Sequence, residues 1–587
     1  MSYAAPVEHM RFVLECTAGL DRVRALPAFA EVTPDVVAAV LEGAARFAGE
    51  VLAPLNVQGD RVGARLTPDG VVTPPGFRAA YQRYVADGWN SLGGPPAYGG
   101  QGMPFALAAA TVEMWGAANM SLALCPELSS GAIAALAEHA PEALRARLLP
   151  KLVSGEWTAS MCLTEPQAGS DLSTVTTRAA PDGAAWRLYG RKIYITWGEH
   201  DMAENVIHLV LARAPNAASG VRGLSLFAVP RYRLDASGRP GEPNDIRCVS
   251  LEHKLGLHGS PTCVLAIGDG PGAEGFLVGP LHQGLACMFT MMNHMRLGVG
   301  LHALGIAEHA YQIAARHARE RVQGRDAAGK PTVILGHADV RRMLLSMKSR
   351  IQAARGLCYC TAVALDLAHH ADGEAAAAAR ARADLLTPIV KAWCSDMAIE
   401  ISSLAVQVLG GMGFVEDAAA AQCYRDVRIT AIYEGTNGIQ AQDLLGRKVL
   451  RDGGRALTAL IGEMRAALAA LPDGDARVAA LGRALAGGIA ELEAATGFVL
   501  AGAGRDPELV GATAVSYLEL AALVCGAWQW ARALAVPAGG GLDAGAAEAL
   551  RDTAAFYAAH LMPRATASAA IVMAGSGAVS AADREYR

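Results

Sequence analysis

The sequence predicts an α+β chain of several domains: an N-terminal helical domain (residues 1–158), a middle β domain (159–280), a helical bundle (281–450) and an extra C-terminal helical region (451–587). Three observations predict it. Apolar residues recur at three- and four-residue spacing up to about residue 151. Short runs rich in Val, Ile, Leu and Tyr then follow, separated by Asn, Gly, Pro and Asp. The helical period returns near residue 281 and persists towards the end of the chain.

The elements follow in order. Helical patterning covers 36–51 and 107–138, punctuated by Gly93-Gly94-Pro95-Pro96 and Tyr98-Gly99-Gly100. Strand-like runs occupy 186–196, 206–212, 224–229, 246–251, 263–267 and 275–278. Long helical runs at 297–321, 338–367 and 385–409 suit a bundle. Segments 456–469 and 477–499 open the last region, with breaks at Pro472-Asp473-Gly474 and Gly539-Gly540-Gly541. A length of 587 residues suits about four domains and a large core. No fixed-period repeat is evident, and no G-x-G-x-x-G follows a strand, so a Rossmann fingerprint is absent.

Composition excludes several function classes. Net charge is -5, and residues 451–587 carry eleven Arg, no Lys and fourteen acidic residues. That sign is wrong for phosphate, so no nucleic-acid partner is expected. No run of 18 or more uncharged apolar residues stands out. The nearest, 401–415, is short and bounded by Glu400 and Glu416, so no membrane insertion is expected. The first residues lack the apolar run of a secretory signal. The eleven cysteines are scattered, with only Cys358 and Cys360 close together. Reduced core thiols in a cytoplasm are expected, with no disulfide framework and no metal site.

Two strings carry the chemistry. Leu163-Thr164-Glu165-Pro166-Gln167-Ala168-Gly169-Ser170-Asp171 lies where helix gives way to strand. Its small residues and hydroxyls suit a tight loop whose backbone N–H groups bind a heterocycle edge or an anion. Downstream, Tyr424-Arg425-Asp426 leads to Ile432-Tyr433-Glu434-Gly435-Thr436-Asn437. A carboxylate such as Glu434, buried against Ile432, Tyr433 and Ile439, would have a raised pKa and be a competent base.

These strings resemble the L-T-E-P-x-A-G-S-D and R-D-x-x-x-x-x-I-Y-E-G-T segments of the acyl-CoA dehydrogenase family. Other matches come in that family's order: Gly190-Arg191-Lys192-Ile193-Tyr194-Ile195-Thr196, Glu320-Arg321-Val322-Gln323, and Gln407-Val408-Leu409-Gly410-Gly411-Met412-Gly413. The resemblance spans about residues 30 to 450. Gly198-Glu199-His200-Asp201 and residues 253–260 resemble a longer bacterial subgroup that includes the 3-methylmercaptopropionyl-CoA dehydrogenases and carries a C-terminal extension. The chain departs from the family at Gly324, where a large apolar residue is usual, and in an insertion at 325–332. Tyr194 stands where Trp is frequent. Met295 occupies the position that holds the base in some relatives, and it cannot act as one.

The resemblance implies an FAD enzyme that desaturates an acyl-CoA thioester to a trans-2-enoyl-CoA. Glu434 would take the α-proton and flavin N5 the β-hydride. The Glu434 N–H and the FAD ribityl 2′-hydroxyl would bind the thioester carbonyl. It implies cofactor contacts for Met161, Leu163, Thr164, Gly169 and Ser170, and for Tyr194, Ile195 and Thr196 beside the ring. Arg321 would meet the pyrophosphate of a neighbouring subunit. Gln407, Gly410 and Gly411 would line the adenosine side, with Thr436 and Asn437 near the pyrophosphate. Ser170, Asn293, Arg296 and Gly435 would contact the substrate. Expected partners are the acyl-CoA, an electron-transfer flavoprotein and a second copy of the chain. An oxygen-using oxidase and a catalytically silent scaffold are the alternatives.

Overall fold

The structure, a computed structural model, describes residues 3–235, 237–537 and 539–582. Its centre is the 37-residue helix Gly284–Glu320, which packs against Phe105–His139, Ala338–His370 and Gly373–Leu409. These helices approach to backbone contact because small residues line the crossings. A Cβ added at Gly305 would lie 2.4 Å from the Glu113 carbonyl oxygen, and one at Gly116 would lie 2.9 Å from His302 Cα. A buried ionic cluster ties three helices together. Arg355 donates to Glu113 at 2.6 Å and to Glu308 at 2.8 Å, while the Tyr359 hydroxyl donates to Glu113 at 2.7 Å.

Four of the described helices are long and apolar enough to cross a membrane, among them Phe105–His139 and Leu509–Leu534. The sequence reading found no such segment. Burial within the protein accounts for Phe105–His139, where 83% of the most apolar stretch is covered by its own chain. A helix apolar all round belongs in a core or in a bilayer.

The middle region is an eight-stranded sheet in the order Ile246–Leu251, Thr262–Ile267, Ala185–Thr196, Ala273–Val278, Leu224–Pro230, Asn205–Arg213 and Trp157–Cys162. The eighth strand, Arg178–Asp182, pairs with both Ala185–Thr196 and Asn205–Arg213 and closes the sheet on itself. Trp157–Cys162 runs parallel to Asn205–Arg213; the other long pairings are antiparallel. Neither Trp157–Cys162 nor Arg178–Asp182 stands out in the sequence. The insertion forms an exposed hairpin, Val322–Arg325 with Pro331–Val333. The last region is helical, beginning with Arg455–Ala469 and Ala476–Gly502. It packs on Ala338–His370 and behind Asn437–Gln442 through Leu509–Leu534.

Candidate active site

Glu434 sits in a turn between Arg428–Ala431 and the short helix Asn437–Gln442. The turn is left-handed at two successive residues, with φ 55° at Glu434 and 83° at Gly435. Glycine tolerates this conformation; for glutamate it costs about 1–3 kcal/mol. Three side chains hold the turn. Thr436 caps the helix by accepting from the Ile439 N–H at 3.3 Å. Gln440 Nε2 donates to the Glu434 carbonyl at 3.2 Å and to the Gly435 carbonyl at 3.3 Å. Lys391 Nζ, on Gly373–Leu409, donates to the Gly435 carbonyl at 2.8 Å and to Asn437 Oδ1 at 3.0 Å.

The Glu434 side chain points inward. Its Oε2 is enclosed and has no hydrogen-bond partner in the protein. Burial pushes its pKa up to about 7, against the opposing pull of Arg296 and Lys391. Arg296 is buried too: its guanidinium donates to Asn293 Oδ1 at 3.1 Å and lies 3.8 Å from Asp443. Arg296 therefore faces the base and Asp443. Asn293 remains exposed. The Tyr433 hydroxyl, also enclosed without a partner, packs beside the carboxylate, and burial raises its pKa strongly.

The second string forms a loop locked from behind. Glu165, 2% exposed, accepts from the N–H and hydroxyl of both Thr176 and Thr177, and from Lys192 Nζ at 2.9 Å. Burial alone would raise the Glu165 pKa; Lys192 and the Thr177 hydroxyl prevail and hold it well below the usual carboxylate range. Lys192 also donates to the Leu163 carbonyl at 2.8 Å, and the Ile193 N–H donates to the Thr164 carbonyl at 3.0 Å. Thr164, the loop and the strand carrying Tyr194 are thus one rigid unit.

The outer side of this unit is open. A Cβ added at Gly169 meets nothing within 4 Å, and Ser170 is exposed. Tyr194, at φ 59° and 60% exposed, presents a free aromatic face. Gly410 and Gly411 are equally open. A fixed loop with uncovered N–H groups beside an exposed ring fits a flat heterocycle, as FAD requires. Met161 and Leu163 pack beneath the loop at the edge of the main core. Ile195 differs from its partners: its side chain packs inside the middle domain, which leaves only its backbone on the side of Tyr194 and Thr196.

The structure brings Asn293, Arg296, Glu434, Gly435 and Asn437 together, and separately joins 163–170 to 194–196. Arg321, Gln407, Gly410 and Gly411 stand apart from both groups. They are exposed at the far ends of Gly284–Glu320 and Gly373–Leu409. About 36 Å of continuous helix separates Arg296 from Glu320. Asn437 turns its side chain towards Gly373–Leu409. Its amide oxygen accepts from Lys391 and Ser395, and its nitrogen donates to Asp396 at 2.7 Å. Both side-chain atoms are thus engaged, and they hold the Glu434 turn.

Comparisons with known proteins decide the family. Models described as the N-terminal, middle and C-terminal domains of acyl-CoA dehydrogenase match residues 37–156, 160–269 and 282–449. The chain belongs to the acyl-CoA dehydrogenase family. A model described as acetyl-CoA dehydrogenase C-terminal like matches 460–583. Among acyl-CoA dehydrogenases, the 3-methylmercaptopropionyl-CoA dehydrogenase of Ruegeria pomeroyi is 45% identical, over 90% of each chain. A broad-specificity linear acyl-CoA dehydrogenase of Mycobacterium tuberculosis is 33% identical over 97% of each. A Bacillus anthracis acyl-CoA dehydrogenase solved with FAD shares the fold: TM-score 0.75, 20% identity, 96% of this chain and 91% of the other. The protein is an FAD-dependent acyl-CoA dehydrogenase that acts on acyl-CoA.

The sequence reading missed Lys391 and Gln440. For Lys391 a signal existed: a lone charge among Ile389, Val390, Ala392 and Trp393. Nothing in the sequence marked Gln440.

Proposed function

We propose that Glu434 removes the α-proton of an acyl-CoA thioester, the β-hydrogen leaving as hydride to give a trans-2-enoyl-CoA. One observation carries this reading: a carboxylate oxygen enclosed without a partner, on a group titrating at about 7. A base poised there is ionised enough to act and basic enough to take a weakly acidic proton. Bound FAD supplies the hydride acceptor. The same turn fixes the Glu434 N–H, which this reading assigns to the thioester carbonyl, where enolate charge develops. Met295, buried in the core, takes no part in proton transfer.

The Ruegeria pomeroyi relative supports 3-methylmercaptopropionyl-CoA or a comparable fatty acyl-CoA as substrate. Electrons would pass to an electron-transfer flavoprotein. The test is anaerobic single-turnover flavin bleaching by acyl-CoA across pH. Only ionised Glu434 accepts a proton, so the rate should rise about tenfold per unit below pH 7 and level off above it. A flat profile from pH 5 to 9 would refute the assignment. In the same apparatus, rapid peroxide formation on admitting air would overturn the acceptor.

We also infer a homodimer. The turn Gly410–Phe414 exposes Met412, Val415 just beyond it is exposed too, and Phe414 is 86% exposed. A second copy would cover this patch and bring its own Arg321 and Gln407 to the site. Light scattering should give twice the chain mass, falling to one chain for Phe414→Asp; a monomeric wild type would sink the inference.

A further inference from the structure

We infer that Lys391 is a positioning residue for the base: its buried ammonium clamps the Gly435 carbonyl and thereby fixes the left-handed turn that presents Glu434. The inference rests on the reading that Glu434 takes the α-proton.

Lys391 is 0% exposed. An ammonium is costly to take out of water, and its neighbours Ile389, Val390 and Ala392 are apolar and buried. A helix that only needed packing there would be served by Met or Leu. The ammonium is instead directed out of Gly373–Leu409 into the one strained turn nearby. It reaches the carbonyl of Gly435 and the side chain of Asn437, the two residues that bracket Thr436. One turn along the same helix, Ser395 donates to the same Asn437 oxygen and Asp396 accepts from the Asn437 nitrogen. Gln440 adds a second donor to the Gly435 carbonyl. The Gly435–Thr436 peptide is thus gripped from two sides, and Gln440 also holds the Glu434 carbonyl before it, so the backbone that follows the base cannot flip out of the left-handed turn.

The clamp also carries charge. Arg296 and Lys391 are the cations that face Glu434. Lys391 faces Glu434, Asp396 and Arg296, and burial brings its own pKa down to about 7. Arg296 in turn faces Asp443, Glu434 and Arg447. Removing the Lys391 charge therefore moves Glu434 towards weaker acidity, while losing the clamp frees the turn. A residue that served packing alone would do neither.

The test uses holoenzyme with full FAD content. Lys391→Met should bleach flavin at least about 30-fold more slowly with acyl-CoA KM changed less than about threefold. The acid limb of its rate profile should move up by about one pH unit. Lys391→Gln keeps a donor without the charge; it should recover part of the rate and keep the displaced limb. Gln440→Met, which spares the ammonium, should slow bleaching and leave the limb in place. A Lys391→Met holoenzyme with wild-type rate and limb overturns the inference. Should that variant fail to accumulate, Lys391→Gln decides by the same two readings. Glu434→Gln separates the two claims. If it bleaches flavin at the wild-type rate, the base reading itself fails. If it is inactive while Lys391→Met and Lys391→Gln match wild type, only the clamp fails.

Discussion

Glu434→Gln is expected to bind acyl-CoA with near-native affinity and to reduce its flavin about 10³-fold more slowly than wild type. Glutamine nearly matches glutamate in shape, so the turn, with Gln440 and Lys391 on its carbonyls, stays intact. What disappears is the proton acceptor. Met295, at the other position where relatives carry a base, offers no substitute. Single-turnover bleaching read beside a binding titration makes the comparison. Fast bleaching with tight binding would remove Glu434 from the chemistry. Loss of binding with slow bleaching would assign it to holding substrate.

The largest expected effect on stability belongs to Arg355→Met. Arg355 is 1% exposed and satisfies two carboxylates, Glu113 and Glu308, with Tyr359 closing the cluster. Removing one partner of a buried ion pair costs about 3–5 kcal/mol, because the charge left behind has neither water nor a counterion. Here two carboxylates lose their cation, at the junction of three helices. The variant should show a clearly lower denaturant midpoint and poor soluble yield. Adding Glu113→Gln should restore part of the loss, since it removes one stranded charge. A single variant with an unchanged midpoint would show that the cluster does not hold the helices together.

The two long motifs made the chemistry legible in the sequence because each is locally contiguous. The base and its flanking turn lie within a few residues of each other, and so do Thr164, Gly169 and Ser170. The supports were illegible for the opposite reason. Lys391 lies more than forty residues before the carbonyl it clamps. Glu165 lies within its motif, yet its task of pinning the loop depends on Thr176, Thr177 and Lys192 from beyond it. The resemblance places Asn437 near the pyrophosphate, and only the packing of Gly373–Leu409 shows its side chain turned onto Lys391, Ser395 and Asp396. In the sheet, Arg178–Asp182 is illegible because Arg-Ala-Ala-Pro-Asp lacks β-branched and aromatic residues, and its pairing is set by Ala185–Thr196 and Asn205–Arg213.

The placement of Leu509–Leu534 bears on whether the chain can be shortened. Trp528 and Trp530 of that helix are buried, Trp393, two residues beyond Lys391, meets it at Gly526, and Gln529 reaches Gly356. The appended helices are therefore a foundation under the reacting groups and not a detachable module. A version cut near residue 450 would lay bare a wide oily face directly beneath Asn437–Gln442, and it should clump before it could turn over substrate.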